Sequence, residues 1–148
     1  MKRLKSHFTY GIMIMLIVLA FSSCASISRF DQYAYAQTTS IKVDAMNTMD
    51  LAINNYTTCV QKVQDLETNL QKLYEYERNR PKNDISVKMW NKLLNKDGHL
   101  LGGFIERWKK LGKLSAVFIS ESKGQVAEAF DQISGLESNK IKASDIKN

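Results

Sequence analysis

After an uninterrupted apolar run near its start, the chain settles into apolar residues recurring at three- and four-residue intervals. From Met49 a heptad places Met49, Tyr56, Val63, Leu70 and Glu77 at one position and Ala52, Cys59, Leu66 and Leu73 at the other. Eight of these nine are apolar, which random placement seldom gives. The alternation of a half-buried strand fails over the same stretch. The spacing predicts one long helix from Asp31 or Ser40 to Arg80, ended by Pro81, whose ring disfavours helix at the residue before it. Asn83 or Asp84 is placed to cap a second helix through Val87, Met89, Trp90, Leu93 and Leu94, and Asp97-Gly98 ends it. A third segment, residues 99–111, puts Leu101, Phe104, Ile105, Trp108 and Leu111 on one face. A fourth, from Leu114 to Ser138, carries Phe118, Val126, Ala129, Phe130, Ile133 and Leu136. Its stripe lapses between Ile119 and Val126, where a kink or loose packing is expected near Gly124.

A helix of this length cannot bury its apolar stripe alone, and the later helices offer matching faces. The predicted fold is therefore all-α, an elongated antiparallel helical hairpin or three-to-four-helix bundle built on one long N-terminal helix. Four heptads would also permit a parallel homo-oligomeric coiled coil.

The first residues read differently. Lys2, Arg3 and Lys5 precede Gly11–Phe21, which contains no polar side chain. These are the n-region and h-region of an export signal. Spanning a bilayer takes about 20 apolar residues, twice what this core supplies, so the reading is removal rather than permanent spanning. Phe21-Ser22-Ser23-Cys24-Ala25 follows. In these first 25 residues the chain resembles bacterial lipoprotein precursors, whose signal ends in small residues before a cysteine, although Phe21 stands where leucine is usual. The resemblance implies cleavage before Cys24, acylation of its thiol and usually of its new amino group, and a lipid anchor in the cell envelope. Ala25-Ser26 lacks the Asp that retains such proteins in an inner membrane, which favours the outer membrane of a Gram-negative cell. Ala34-Tyr35-Ala36 offers an ordinary signal-peptidase site instead, and an uncleaved anchor is the third alternative. All three export the remainder of the chain. The expected organisation is a signal peptide (1–23), a lipidated tether (24–38), a helical domain (39–140) and a loose tail (141–148).

Without residues 1–23 the formal charge drops from +6 to +3, because Lys2, Arg3 and Lys5 go with the signal. Cys59 then remains beside Cys24, and a lipidated Cys24 leaves no internal disulfide to staple the fold. The remaining charge is uneven. Residues 78–113 hold ten basic and three acidic residues, +7, against −3 for 24–77 and −1 for 114–148. Lys88, Lys92, Arg107, Lys109, Lys110 and Lys113 are the candidate partner-binding residues, interleaved with Trp90, Phe104 and Trp108. Such a pattern suits nucleic acid in a cytoplasmic protein. Export argues against that partner and for an anionic envelope component, such as lipid headgroups or lipopolysaccharide phosphates, or an acidic protein. The competing reading makes the tryptophans core and the bases the solvated face of amphipathic helices.

Signals for catalysis are weak. His99 is the only histidine after the signal, too few ligands for a zinc or haem site, and neither metal nor cofactor is expected. No Gly-x-Ser-x-Gly occurs. Glu75 and Glu77, two apart on a helix, point in different directions and read as a solvated face. Gly102-Gly103 reads as a bend or a close approach of helices, and Cys59 as a small core residue. The chain is thus expected to be no enzyme but a lipid-anchored extracytoplasmic scaffold or adaptor presenting its basic segment to a partner. The alternative is a small ligand-binding or inhibitor lipoprotein with an apolar crevice between helices, lined by Trp90, Phe104 or Trp108.

Overall fold

Short polar side chains open three of the helices by taking up amides that the first turn leaves orphaned. Asp31 accepts from the Ala34 N–H at 2.9 Å, Asn55 from Thr57 at 3.2 Å and Ser115 from Phe118 at 3.3 Å. The computed structural model describes residues 30–145. Among these residues there are five α-helices and no strand: α1 (Gln32–Asp50), α2 (Tyr56–Arg78), α3 (Asp84–Leu94), α4 (Leu101–Leu111) and α5 (Ala116–Glu137). Short 3-10 turns occupy Leu51–Ile53 and Ala143–Asp145.

The single long helix expected up to Arg80 is two helices. Leu51–Ile53 tightens into a 3-10 turn, Asn54 and Asn55 are extended, and Asn55 caps α2. Two adjacent asparagines explain the break, since their side chains compete with the helical hydrogen bonds of nearby backbone. Folding back also lets the stripe bury against itself, without a second chain. The two helices run antiparallel, and the Tyr33 and Tyr76 rings meet edge to face at 4.8 Å where α1 starts and α2 stops.

Four columns result. α1 leads away from the Arg80 end and α2 returns to it. α3 and α4 together carry the chain out again, and α5 comes back to finish beside Arg80 and Ser86. α1 packs on α2 and α5, α3 on α5 and α2, and α4 on α3 and α2. The third column is broken between Leu94 and Leu101, and its halves approach closely there. A Cβ on Gly102 would lie 2.3 Å from the Leu94 carbonyl oxygen, and one on Gly103 would lie 1.9 Å from that of Gly98. The glycine pair is a close approach, as its sequence suggested.

The seam is buried as the heptad requires. Val63, Leu66, Leu70 and Leu73 of α2 join Trp90, Leu93, Trp108, Val126, Phe130 and Ile133 in one core, and Cys59 sits within it. Trp90 meets Phe130, and Trp108 meets Tyr56, edge to face. The lapse in the α5 stripe breaks nothing. The helix is continuous, buried Ser122 carries the stripe through, and Gly124 faces open space.

The domain also begins earlier than residue 39. Ala34 and Thr38, placed by the sequence in the tether, are fully buried in α1. After α5 the chain stays attached as far as Ile141. Asn139 takes a left-handed conformation, and the Lys140 and Ile141 amides donate to the Gly135 carbonyl at 3.0 and 3.2 Å.

Because Leu70 is 2 % exposed in the middle of the seam, Leu70→Ala should lower the unfolding free energy by about 2–5 kcal/mol in urea denaturation. A near-neutral effect would mean that α2 does not carry the core.

Candidate functional site

The six basic residues marked by the sequence fall into two groups. Lys88 and Lys92 lie one turn apart on α3. Arg107, Lys109 and Lys110 close α4, and Lys113 follows in the next turn. All six are exposed, and none forms an ion pair among the described residues. Other bases do find acids: Lys42 meets Asp131 at 2.5 Å, Lys123 meets Asp50 at 2.6 Å and Lys96 meets Glu106 at 3.5 Å. The aromatic residues interleaved with these bases go the other way. Trp90 and Trp108 are fully buried and Phe104 nearly so, and the Trp108 indole N–H donates to the Asn54 carbonyl at 3.1 Å. The pattern thus separates into an apolar inside and a cationic outside. Cys24 and the signal lie outside the described residues, among which no helix is long and apolar enough to cross a membrane.

Two open clefts flank this surface. One, of about 630 Å³, brings Arg107 and Lys110 together with His99, Phe104, Phe118 and Glu121. Phe104 and Phe118 stack with centroids 6.0 Å apart, and the Arg107 guanidinium carbon lies 4.5 Å from the Phe118 centroid. The other, of about 750 Å³, runs along α2 with polar walls and with Leu70, Leu101 and Ile105 among its lining. Neither is lined by Trp90 or Trp108; of the three aromatics named for a crevice, Phe104 alone reaches a cleft. His99 is exposed and does not cap α4, whose N-cap is Leu100. Among the described residues no group of three or more His, Cys, Asp or Glu could hold a metal ion.

At the opposite end of the bundle the sequence reading missed a buried polar cluster. Arg80 Nη1 donates to Glu77 Oε2 at 2.9 Å and also to Glu137 Oε2, while its Nε lies 3.7 Å from Asp31 Oδ2. Ser86 Oγ donates to Glu137 Oε1 at 2.6 Å, and Tyr76 Oη to Asp31 Oδ2 at 2.7 Å. Asn83 does not cap α3 with its side chain. Its Nδ2 turns back to the Glu77 carbonyl at 2.9 Å and to Glu77 Oε2 at 2.5 Å. Glu77 is 0 % exposed and Glu137 2 %, so the solvated face expected for Glu75 and Glu77 holds for Glu75 alone.

One guanidinium cannot neutralise two buried carboxylates. Burial first, and the charge of Glu137 second, push Glu77 up to about 7 against the pull of Arg80 and Asn83. Glu77 Oε1 and Asn83 Oδ1 have no hydrogen-bond partner among the described residues. A proton on Glu77 brings the trio to charge balance. Burial also opposes the Arg80 charge, but its hydrogen bond to Glu137 and the two carboxylate charges hold it above the ordinary arginine value. Asp31 lies below the usual carboxylate range, chiefly because it accepts the Ala34 N–H.

Comparison with protein-family models, curated proteins and solved structures finds no match for this chain.

Arg80→Met should cost about 3–5 kcal/mol in urea denaturation, because it strands buried carboxylates without their cation. A loss below about 1 kcal/mol would show that water or rearrangement satisfies them instead. The cluster also sets a pH dependence. With Glu77 at about 7 against an ordinary 4.5, the folded protein holds a proton that the unfolded chain has released between those values. The Glu77 contribution to stability is therefore present below about pH 4.5, falls as pH rises to about 7 and is level above. Glu77→Gln removes this component, so wild type should lose stability relative to the variant across that window in pH-resolved thermal melts. A difference that does not vary with pH there would contradict the assignment.

Proposed function

We propose that the chain is a lipid-anchored helical adaptor of the bacterial cell envelope, tethered through Cys24 and presenting the basic surface of α3 and α4 to an anionic partner. The observation that carries this reading is the set of six exposed bases, all within residues 88–113, that have no acid partner among the described residues, while Lys42, Lys96 and Lys123 each find one. Uncompensated positive charge raises the potential of that face and speeds encounter with an anionic surface.

The fold supports the lipobox over the alternative cleavage site. A cut after Ala36 would remove the α1 cap Asp31, with its contacts to Arg80 and Tyr76, and would take buried Ala34 out of the bundle. A cut before Cys24 spares both and leaves residues 24–30 to join a lipid to α1. Two or three acyl chains give stable attachment where one is marginal.

Expression of the full chain in bacteria tests the reading in two steps. Mass spectrometry should find acylated Cys24 as the first residue of the membrane-bound protein; Cys24→Ala should abolish lipid and processing, and Cys59→Ala should retain both. A mature N-terminus at Gln37, or intact Met1 without lipid, would overturn the anchor. The combined Lys109→Glu, Lys110→Glu and Lys113→Glu variant should keep its circular dichroism and lose salt-sensitive capture of its envelope partner. Unchanged capture would reduce these lysines to a solvated face.

A further inference from the structure

Three aliphatic side chains stand exposed at the end of the bundle opposite Arg80. Ile53 is 51 % exposed, Leu111 56 % and Val117 68 %. They flank two turns that the backbone joins. The Tyr56 amide donates to the Gly112 carbonyl at 2.7 Å and the Leu114 amide to the Ala52 carbonyl at 2.8 Å. Ile53 also lines a shallow hollow of about 300 Å³ with Ala116 and Ile119, next to Val117. The three residues therefore belong to one rigid tip.

The charge around this tip has a single sign. Lys109, Lys110 and Lys113 bracket Leu111, are exposed and have no acid partner among the described residues. Neither 51–60 nor 107–120 contains an Asp or Glu, and the nearby Asp50 is held by Lys123 at 2.6 Å. Part of the lysine placement suits the C-terminal dipole of α4. That dipole explains neither Lys113, beyond the helix, nor the three aliphatics.

We infer that this tip docks on the surface of an anionic phospholipid bilayer, with Ile53, Leu111 and Val117 entering the headgroup boundary and the lysines pairing with lipid phosphates. The inference rests on the reading of the basic end as a contact surface and names its partner. Short aliphatics ringed by flexible cations suit a fluid anionic interface. A specific protein contact is anchored instead by aromatic side chains, and here Trp108 and Phe104 are turned into the core.

The test uses the chain from residue 25 onward, which lacks the signal and Cys24 and keeps every residue of the described core. It is sedimented with phosphatidylcholine vesicles made with and without phosphatidylglycerol. Binding should require phosphatidylglycerol and weaken as salt rises. Joint Lys109→Gln, Lys110→Gln and Lys113→Gln should weaken it about fivefold per lysine, about a hundredfold together. Joint Ile53→Ser, Leu111→Ser and Val117→Ser should weaken it about tenfold or more at low salt with circular dichroism preserved, since apolar burial is lost while the charges stay. Lys72→Gln with Lys140→Gln, at two exposed lysines toward the Arg80 end, should bind as wild type. Absence of wild-type binding to phosphatidylglycerol vesicles, or a folded serine variant that binds like wild type, overturns the inference. If vesicles are not bound while envelope capture still depends on the three lysines, lipid docking falls and the adaptor reading stands.

Discussion

One guanidinium held between two buried carboxylates sets the register of this bundle. Apolar stripes on neighbouring helices can slide by a turn at modest cost, because one leucine replaces another. A buried ion network cannot, since a displaced partner leaves a charge unpaired in a low-dielectric interior. Arg80 refers four helices to one point: the cap of α1 through Asp31, the last turn of α2 through Glu77, and the end of α5 through Glu137, to which Ser86 ties the start of α3. The turn is shaped for this. Pro81 keeps α2 from continuing past Arg80, Lys82 takes a positive φ of 58°, and Asn83 brings the chain back to Glu77. Such a network need not add net stability over an apolar replacement; its effect is to exclude other registers.

The far end is closed by different means, and the contrast shapes the surface. There backbone amides and carbonyls join the 51–56 turn to the 112–114 turn. Because the backbone does the joining, side chains at this end are free to point outward, and Ile53, Leu111, Lys113 and Val117 do so. Side-chain polarity is thus buried at one end, and side-chain cations and aliphatics are displayed at the other. In an ordinary two-ended bundle both turns would be polar and solvated.

Much of the helical plan was legible because its signals are local. Pro81 stops the helix before it, and Gly102-Gly103 permits close approach, each within a few residues of its effect. The break at residues 51–55 was hidden because the turn returns the chain with the heptad still in phase: Met49 and Ala52 before it and Tyr56 and Cys59 after it all face the core. Glu77 was misread for the opposite reason. A carboxylate is ordinarily solvated, and the helix end that completes its cluster, at Glu137, lies 57 residues from Arg80. A trace was nonetheless present. Glu77 stands in phase on the heptad, and Glu137 falls four residues after Ile133 on the α5 stripe, so two acids occupy core positions. Of the candidate site, the excess of positive charge could be counted, whereas which bases would remain unpaired depended on contacts between distant helices, such as Lys42 with Asp131 and Lys123 with Asp50.

The hairpin changes the scale on which the proposed adaptor works. A continuous helix from Ser40 to Arg80 would have risen about 60 Å, whereas α1, with 19 residues, rises about 29 Å. In the proposed arrangement the seven residues 24–30 join the lipid to the cap of α1, and even fully extended they reach at most about 24 Å. That is shorter than the bundle, so the domain cannot turn over to set its Leu111 tip end-on against the leaflet that anchors it. Upright, the tip faces away and meets a second surface within about 60 Å of the first, the sum of the tether and the bundle, whose 23-residue α2 rises about 34 Å. The separation of the two surfaces is then limited by the chain itself, through the short tether on one side and the Asn54-Asn55 turn on the other.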